Sequence, residues 1–496
     1  MKTLHASLSR RDFARAALAG GLALAGVAHA GEAGRFGPPR PFSRDWLVKE
    51  AQRRARLPYA PRLASHMVAD FDAHVRLSYG PAEAVASQLR LFPARRDTAP
   101  DKVTIHVVAH GMARELIDTH GVFGGGETAD VAGFRVMNTS GGGDWLAFLG
   151  ASYFRAAGAS GQYGLSARAV AVDTGLPGPE EFPAFTDFWI EAQGPDRLMI
   201  HALVDGPSLC GAFGFATRRT PSEVEQDVEA ALFLRRDIAR LGLAPITSMF
   251  DYDQSSPRAD WRGEVHDSDG LAIVAGNGER IWRPLDNPPG PRVHMLRADH
   301  LRGFGLLQRD TSFDHYQDDL NFYDRRPSLW VEPRGDWGAG AVMLYEMNTI
   351  TETVDNMAVM WVPDAPAKAG QRKDFACRLR WCDAAALADG VARCIDVFAG
   401  PGGVPGAEAI AGATRYVFDF AGGSLAGLPA GSVVPVTNLP AAALIMGDAR
   451  AVAGQAGVWR VTLDVRTQGL AQDDFRLFLR HGVDAASETV IKTVRP

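Results

Sequence analysis

The chain is short of cysteine, of long apolar runs and of net charge, and each shortage removes a class of protein. Four cysteines in 496 residues, Cys210, Cys377, Cys382 and Cys394, are too few for a disulfide framework. The spacing of the last three fits no zinc module, so they read as buried thiols. No segment reaches the ~20 consecutive apolar residues that cross a bilayer. The formal charge is −6 and the pI about 6.1. With no basic stripe and no basic amphipathic helix, nucleic acid is excluded as a partner. The glycine runs Gly124-Gly125-Gly126 and Gly141-Gly142-Gly143 lie outside any GxGxxG or GxxxxGK[ST] frame, which removes phosphate cradling. HExxH is absent, and His106 and His110 stand four apart on strand-like sequence without a third ligand. No metal and no cofactor are expected.

Long helical patterns are also scarce. The 53 glycines and 30 prolines point instead to many strands and turns, and the length exceeds one ordinary core, which favours two domains. At the N-terminus, Ser9-Arg10-Arg11-Asp12-Phe13 precedes an apolar run from Ala16 to Val27 and the small-x-small triplet Ala28-His29-Ala30. That order is a twin-arginine signal with cleavage after Ala30, and it predicts a periplasmic protein exported already folded. Ser43 followed by Arg44 to Ala51 reads as a capped helix. Val103–Ala109 and Ala169–Val172 read as strands, and Val224–Leu241 as a strand and then a helix, with no boundary marked by the pattern.

A boundary is expected near Asp383–Ala392, giving a large β-domain over 31–383, a linker over 384–390 and a second domain over 391–496. In Trp459-Arg460-Val461-Thr462-Leu463-Asp464-Val465 apolar and polar residues alternate, as in a strand with one buried face. Tyr416–Phe420, Phe475–Leu479 and Glu488–Val494 read as further strands of an immunoglobulin-like sandwich, without acid, aromatic and histidine clusters and so assigned to support or docking.

The densest chemistry lies between Trp261 and Trp361, which holds five of the ten tryptophans with acidic residues between them. Flat aromatic faces hold sugar rings, and carboxylates beside them suit proton transfer to a glycosidic bond. Taken alone, an Asp-Asn pair such as Asp355-Asn356 is more often a turn, and His-Asp-Ser-Asp-Gly is ordinary loop sequence.

The ordered segments Phe148–Arg155, Tyr163–Arg168, Ala244–Phe250, Glu264–Leu271, Trp282–Leu285, Arg302–Asp310, Arg326–Pro333 and Asp355-Asn356 are similar to those of the periplasmic glucan biosynthesis family OpgG/OpgD (MdoG/MdoD), in particular the D branch. Asn348, where the family usually has proline, departs from the pattern. The resemblance implies an all-β protein, a large galactose-mutarotase-like β-sandwich followed by a small immunoglobulin-like one. It implies action on glucans with a β-1,2-linked glucose backbone, by inverting cleavage within the chain. The family's Asp-Asn pair makes Asp355 the general acid, and its acidic centre makes Asp267 the base, with Asp269 the alternative. Glu264, His266, Asp269 and Arg309 become hydroxyl binders by location, and Trp282, Tyr323, Trp330 and Trp337 candidate sugar platforms. Transglycosylation or ring closure on the same glucan and non-catalytic glucan binding are the alternatives. The inner-membrane glucan synthesis machinery is a candidate partner, and the oligomeric state is left open.

Overall fold

The computed structural model describes residues 34–67, 83–86, 88–95, 99–124, 129–139, 141–388 and 390–494. The twin-arginine segment and Gly125-Gly126 lie outside them. Helix Arg44–Ala55 forms where it is expected. The Ser43 hydroxyl accepts the Trp46 N–H at 3.2 Å, and Leu47 and Ala51, one turn apart, are buried. They pack with Trp189, Leu203 and Ala212 on the outer face of the larger sheet.

The protein is all-β, built on two large sheets. A sixteen-stranded sheet runs through Ala184–Gly194, Arg197–Asp205, Leu209–Arg219, Glu223–Leu234, Arg372–Cys382, Ser328–Pro333, Gly303–Leu307, Gly270–Val274 and Arg280–Pro284. A ten-stranded sheet includes Gly340–Glu346, Met357–Pro363, Leu241–Ser248, Ser166–Arg168 and Tyr153–Ala156 in that order. Phe134, Phe148, Phe154, Phe185, Phe188, Phe215, Trp361 and Trp381 fill one shared core. Their rings meet at 5.0–5.3 Å in stacked and edge-on pairs such as Phe148–Phe154 and Phe134–Phe188, the spacing that suits aromatic quadrupoles.

The segment 224–241 holds no helix. Strand Glu223–Leu234 pairs along its whole length with Leu209–Arg219 on one side and Arg372–Cys382 on the other, and after a turn Leu241–Ser248 starts the next strand. Its second half, Ala230–Leu234, is buried at every position, so the period-2 signal is lost there and the apolar run resembles a buried helix.

Beyond Asp383 a single 3-10 turn, Ala384–Leu387, leads into a four-stranded sheet ordered Arg393–Pro401, Ala413–Ala421, Val458–Arg466, Leu444–Ala451. It faces three strands, Val433–Thr437, Asp474–His481 and Thr489–Thr493. These continue the sixteen-stranded sheet through parallel pairing of Ile281 with Thr489 and Trp282 with Val490. The second core, with Tyr416, Phe418, Trp459, Leu463 and Phe475, also takes in Ala272, Trp282 and Leu307. Trp459, Val461, Leu463 and Val465 are buried as the alternation predicts, and so are Thr462 and Asp464. The polar face is covered as well: Arg415 grips Asp464 at 2.6 and 2.7 Å, and Arg460 grips Asp419 at 2.7 Å through both nitrogens. All four cysteines are free and buried. Among the described residues no helix is long and apolar enough to cross a membrane.

Candidate functional site

Asp355 and Asp267 are brought together by the backbone of Ser248 and Met249. Strand Leu241–Ser248 ends there, and the chain turns into Phe250–Tyr252. The Asn356 N–H donates to the Ser248 carbonyl (3.1 Å) and the Asp267 N–H to the Met249 carbonyl (2.8 Å). Asn356, buried, locks this crossing. Its amide oxygen accepts the Phe250 N–H (2.8 Å), while its NH2 donates to the Phe250 and Met347 carbonyls (2.9 Å each). The Ser248 and Ser268 hydroxyls meet at 2.9 Å. The two aspartates thus hang from adjacent peptides, one delivered by each large sheet.

Their surroundings differ. Asp355 keeps an exposed face, and its carboxylate accepts only the Thr247 hydroxyl, at 3.0 Å. Burial of the carboxyl raises its pKa, opposed by Thr247 and by the charges of Arg155 and Arg326. Asp267 is buried, and the Arg326 guanidinium donates directly to it. Burial raises its pKa, and the charge of Asp355 adds to that, while Arg326 pulls the other way. Arg326 lies over the Tyr323 ring at 4.0 Å. The Tyr323 hydroxyl donates to Glu352 (2.9 Å), which also accepts Arg262 (2.6 Å). A continuous polar chain therefore joins Asp267 to Trp261, which is 71% exposed. The loop 158–164 is pressed against the residues that hold Arg326: a Cβ on Gly164 would meet the Arg326 Cβ at 3.0 Å, and one on Gly158 the Pro327 ring at 2.8 Å.

The other expected site residues form a separate group. Asp267 and Asp269 sit at bends rather than in a strand, so the two-residue alternation that would aim them together is broken. Asp269 turns to the opposite side, where it accepts the Arg309 and Asp310 backbone N–H groups (2.8 Å to Asp310). Glu264 is buried with His266, joined Oε2 to Nε2 at 2.8 Å. Burial lowers the His266 pKa, but Glu264 and Asp269 outweigh it and raise it to about 9. Asp269 is pushed up to about 7 by burial, against the His266 charge. Arg309 is committed to Glu488 (2.6 and 3.0 Å) and to the Cys394 carbonyl (2.9 Å), with its guanidinium 3.5 Å above Trp282. It ties the two cores together and is not available to a sugar hydroxyl.

The aromatic platforms also fall elsewhere than expected. Trp282 is 3% exposed in the second core. Trp337 packs against Trp361 and Phe375 and donates to the Ala376 carbonyl (3.1 Å). Trp330 is half-buried, with Gly303 and Gly305 against its ring. Tyr323 is buried, with Arg326 over its ring and Glu352 on its hydroxyl. Arg326, Thr247, Glu352, Arg262 and Arg155 were not singled out. Arg326 and Arg155 stand at the ends of conspicuous sequence segments, but nothing in one sequence says whose carboxylate they reach.

A family model described as periplasmic glucan biosynthesis protein, MdoG, matches residues 42–494. The chain belongs to this family. Glucans biosynthesis protein D 2 of Ralstonia nicotianae is 38% identical over 98% of this chain and 97% of its own length. Probable glucans biosynthesis protein D of Shewanella oneidensis is 50% identical over 59% of this chain and 55% of its own. Among solved structures, the chain is similar to a galactose mutarotase related enzyme from Lactobacillus acidophilus at 10% identity and a TM-score of 0.24, over 50% of this chain and 94% of that one. The family match spans both cores, so the Asp355–Asp267 site and the junction group both lie inside it.

Proposed function

We propose that this periplasmic glucan biosynthesis protein trims the β-1,2-linked glucose backbone by inverting cleavage within the chain. The observation that carries the reading is the unequal pair on one crossing: Asp267 in direct contact with a guanidinium, Asp355 with a hydroxyl alone. An inverting glycosidase needs one carboxyl that holds its proton and one that has lost it. Asp355, raised by burial and open to solvent on one side, is the acid that protonates the leaving oxygen. Asp267, raised by its burial but drawn back toward the anion by the Arg326 charge, is the base that takes a proton from the attacking water, directly or through a second water. Trp261, exposed at the end of the Arg262–Glu352–Tyr323 chain, offers the face on which a glucose ring can lie. The mature chain is exported by the twin-arginine route, and the strands beyond Arg393 serve as support or as a docking surface for the glucan synthesis machinery.

The test is incubation of purified protein with linear β-1,2-glucan. Shorter linear chains, with the new reducing end first seen by NMR as the α-anomer, are the expected outcome. Initial β-anomer would mean a covalent glycosyl intermediate and would remove Asp267 from the base role. Rings lighter by one water would assign ring closure to the same site, and unaltered glucan that still binds would leave a scaffold.

A further inference from the structure

The group left behind the Asp355–Asp267 crossing surrounds a small, half-open cavity. Asp253, Glu264, His266, Asp269 and Asp310 line it from the large unit, and Cys394, Ile395, Asp396 and Val397 from the first strand of the four-stranded sheet. Its volume of about 30 Å³ suits one or two water-sized occupants and excludes a sugar ring. Five carboxylates face this space, yet no lysine or arginine lines it. Arg309, the nearest guanidinium on the same segment, is spent on Glu488.

Two triplets here bring their ligand atoms within 4.8 Å of one another: Glu264, His266 and Asp269, and Glu264, Asp310 and His315. Glu264, its side chain only 4% exposed, is common to both. The Asp269 Oδ1 atom is fully shielded from water and accepts no hydrogen bond. Its nearest cationic atom, His266 Nδ1, stands 3.5 Å away and makes its hydrogen bond to Gln308 (3.1 Å). A buried carboxylate oxygen left without a donor is costly. Crowding of like charges is also felt across the junction: burial and Asp310 push Asp396 up to about 6.

We propose that Glu264 and Asp310, which line the cavity, hold a divalent cation together with His315 beside it. A cation there offsets the excess of carboxylate and joins Glu264, on the segment that carries Asp267, to the Asp310–His315 pair. One imidazole among carboxylates is a donor set for a first-row ion such as Zn²⁺ or Mn²⁺, whereas Ca²⁺ prefers six or more oxygens. Asp310 and His315 share one connection, with His315 in the short helix Phe313–Tyr316, and Glu264 is brought to them from 46 residues earlier in the chain.

The test is titration of chelator-treated full-length mature protein with ZnCl2 and MnCl2 by calorimetry, with the melting temperature followed in parallel. One ion bound per chain and a rise in melting temperature are expected. Asp310→Asn and His315→Ala, the latter at a half-exposed position, should each weaken uptake roughly 10–100-fold, while Asp355→Asn binds as the parent does. Cobalt(II) substitution adds a visible absorption band that His315→Ala alters. No saturable uptake of either ion, or uptake unchanged in both ligand variants, overturns the proposal. Because binding is read without glucan, this result is independent of whether the protein cuts its substrate.

Discussion

Replacing Arg326 by methionine removes the cation that touches Asp267 while keeping most of the stem that lies over Tyr323. The two side chains are 16% and 7% exposed, so water screens the pair weakly. Removing one partner of such a pair costs roughly 3–5 kcal/mol if the other stays charged. Asp267 escapes much of this by holding its proton, because burial and the Asp355 charge already raise it above its ordinary 3.8. A loss of ~3 kcal/mol corresponds to about two further pKa units at ~1.4 kcal/mol each. The sign follows from linkage: a carboxyl raised in the folded state adds stability below its unfolded pKa, and that stability is lost as pH rises through the folded value. Urea unfolding should therefore separate variant and parent little near pH 4 and by up to about 3 kcal/mol at neutral pH. The acid limb of kcat/KM, set by deprotonation of the base, should move upward by about two units. The assay is release of reducing ends from linear β-1,2-glucan across pH 4–9, beside denaturation at each end of the range. Superimposable pH–rate profiles, with a stability gap that does not grow with pH, would refute the claim that Arg326 keeps Asp267 ionised.

Asp355→Asn retains the shape and the Thr247 contact but has no proton to give, so glucan cleavage should fall ~10²–10⁴-fold with an unchanged fold. Near-parental turnover in a well-folded variant would remove Asp355 from the acid role. Trp261→Ala, at an exposed position, should leave stability unaltered and weaken glucan binding by about 1 kcal/mol, roughly fivefold in KM; an unchanged KM places the sugar platform elsewhere. Changing Arg10 and Arg11 together to lysine should leave precursor in the cytoplasm, and normal periplasmic accumulation would exclude the twin-arginine route.

Much of the β-architecture was legible because strands with one polar face keep their alternation, whether that face meets water or ion pairs. Val458–Arg466 and Asp474–His481 fall where apolar and polar residues alternate. The helix at Arg44 was legible from its serine cap. The interior was harder: Ala230–Leu234, the second half of Glu223–Leu234, is buried at every position and has no wet face to mark its period. The covering of the aromatics was illegible for a related reason. Whether a tryptophan is a platform depends on the side of the sheet that it meets and on what covers that side. Trp282 is covered and Trp337 half-buried, while Trp261, on an irregular segment, is exposed. Asp355 and Asp267 were found through the family's motifs, but Arg326 joins Asp267 across 59 residues of chain, a distance over which one sequence carries no pairing signal.

The segment from Glu264 to Asp269 has two duties, and the bend at Asp267 is what separates them. Glu264, His266 and Asp269 turn toward the second core, and Asp267 turns toward Asp355. The position of Asp267, the proposed base, is thus set from both sides: by Met249 and Arg326 in front, and by the Asp269 contacts with Arg309 and Asp310 behind. Arg309 in turn is clamped by Glu488, next to the strand whose pairing with Arg280–Pro284 fuses the second core to the large sheet. A displacement of the C-terminal strands would reach Asp267 through only three links: Glu488 to Arg309, the Arg309 backbone to Asp269, and two residues of chain. Among the described residues the C-terminal unit carries no cluster of acids, aromatics and histidines of its own, yet it forms the back wall against which the segment bearing the proposed base is braced.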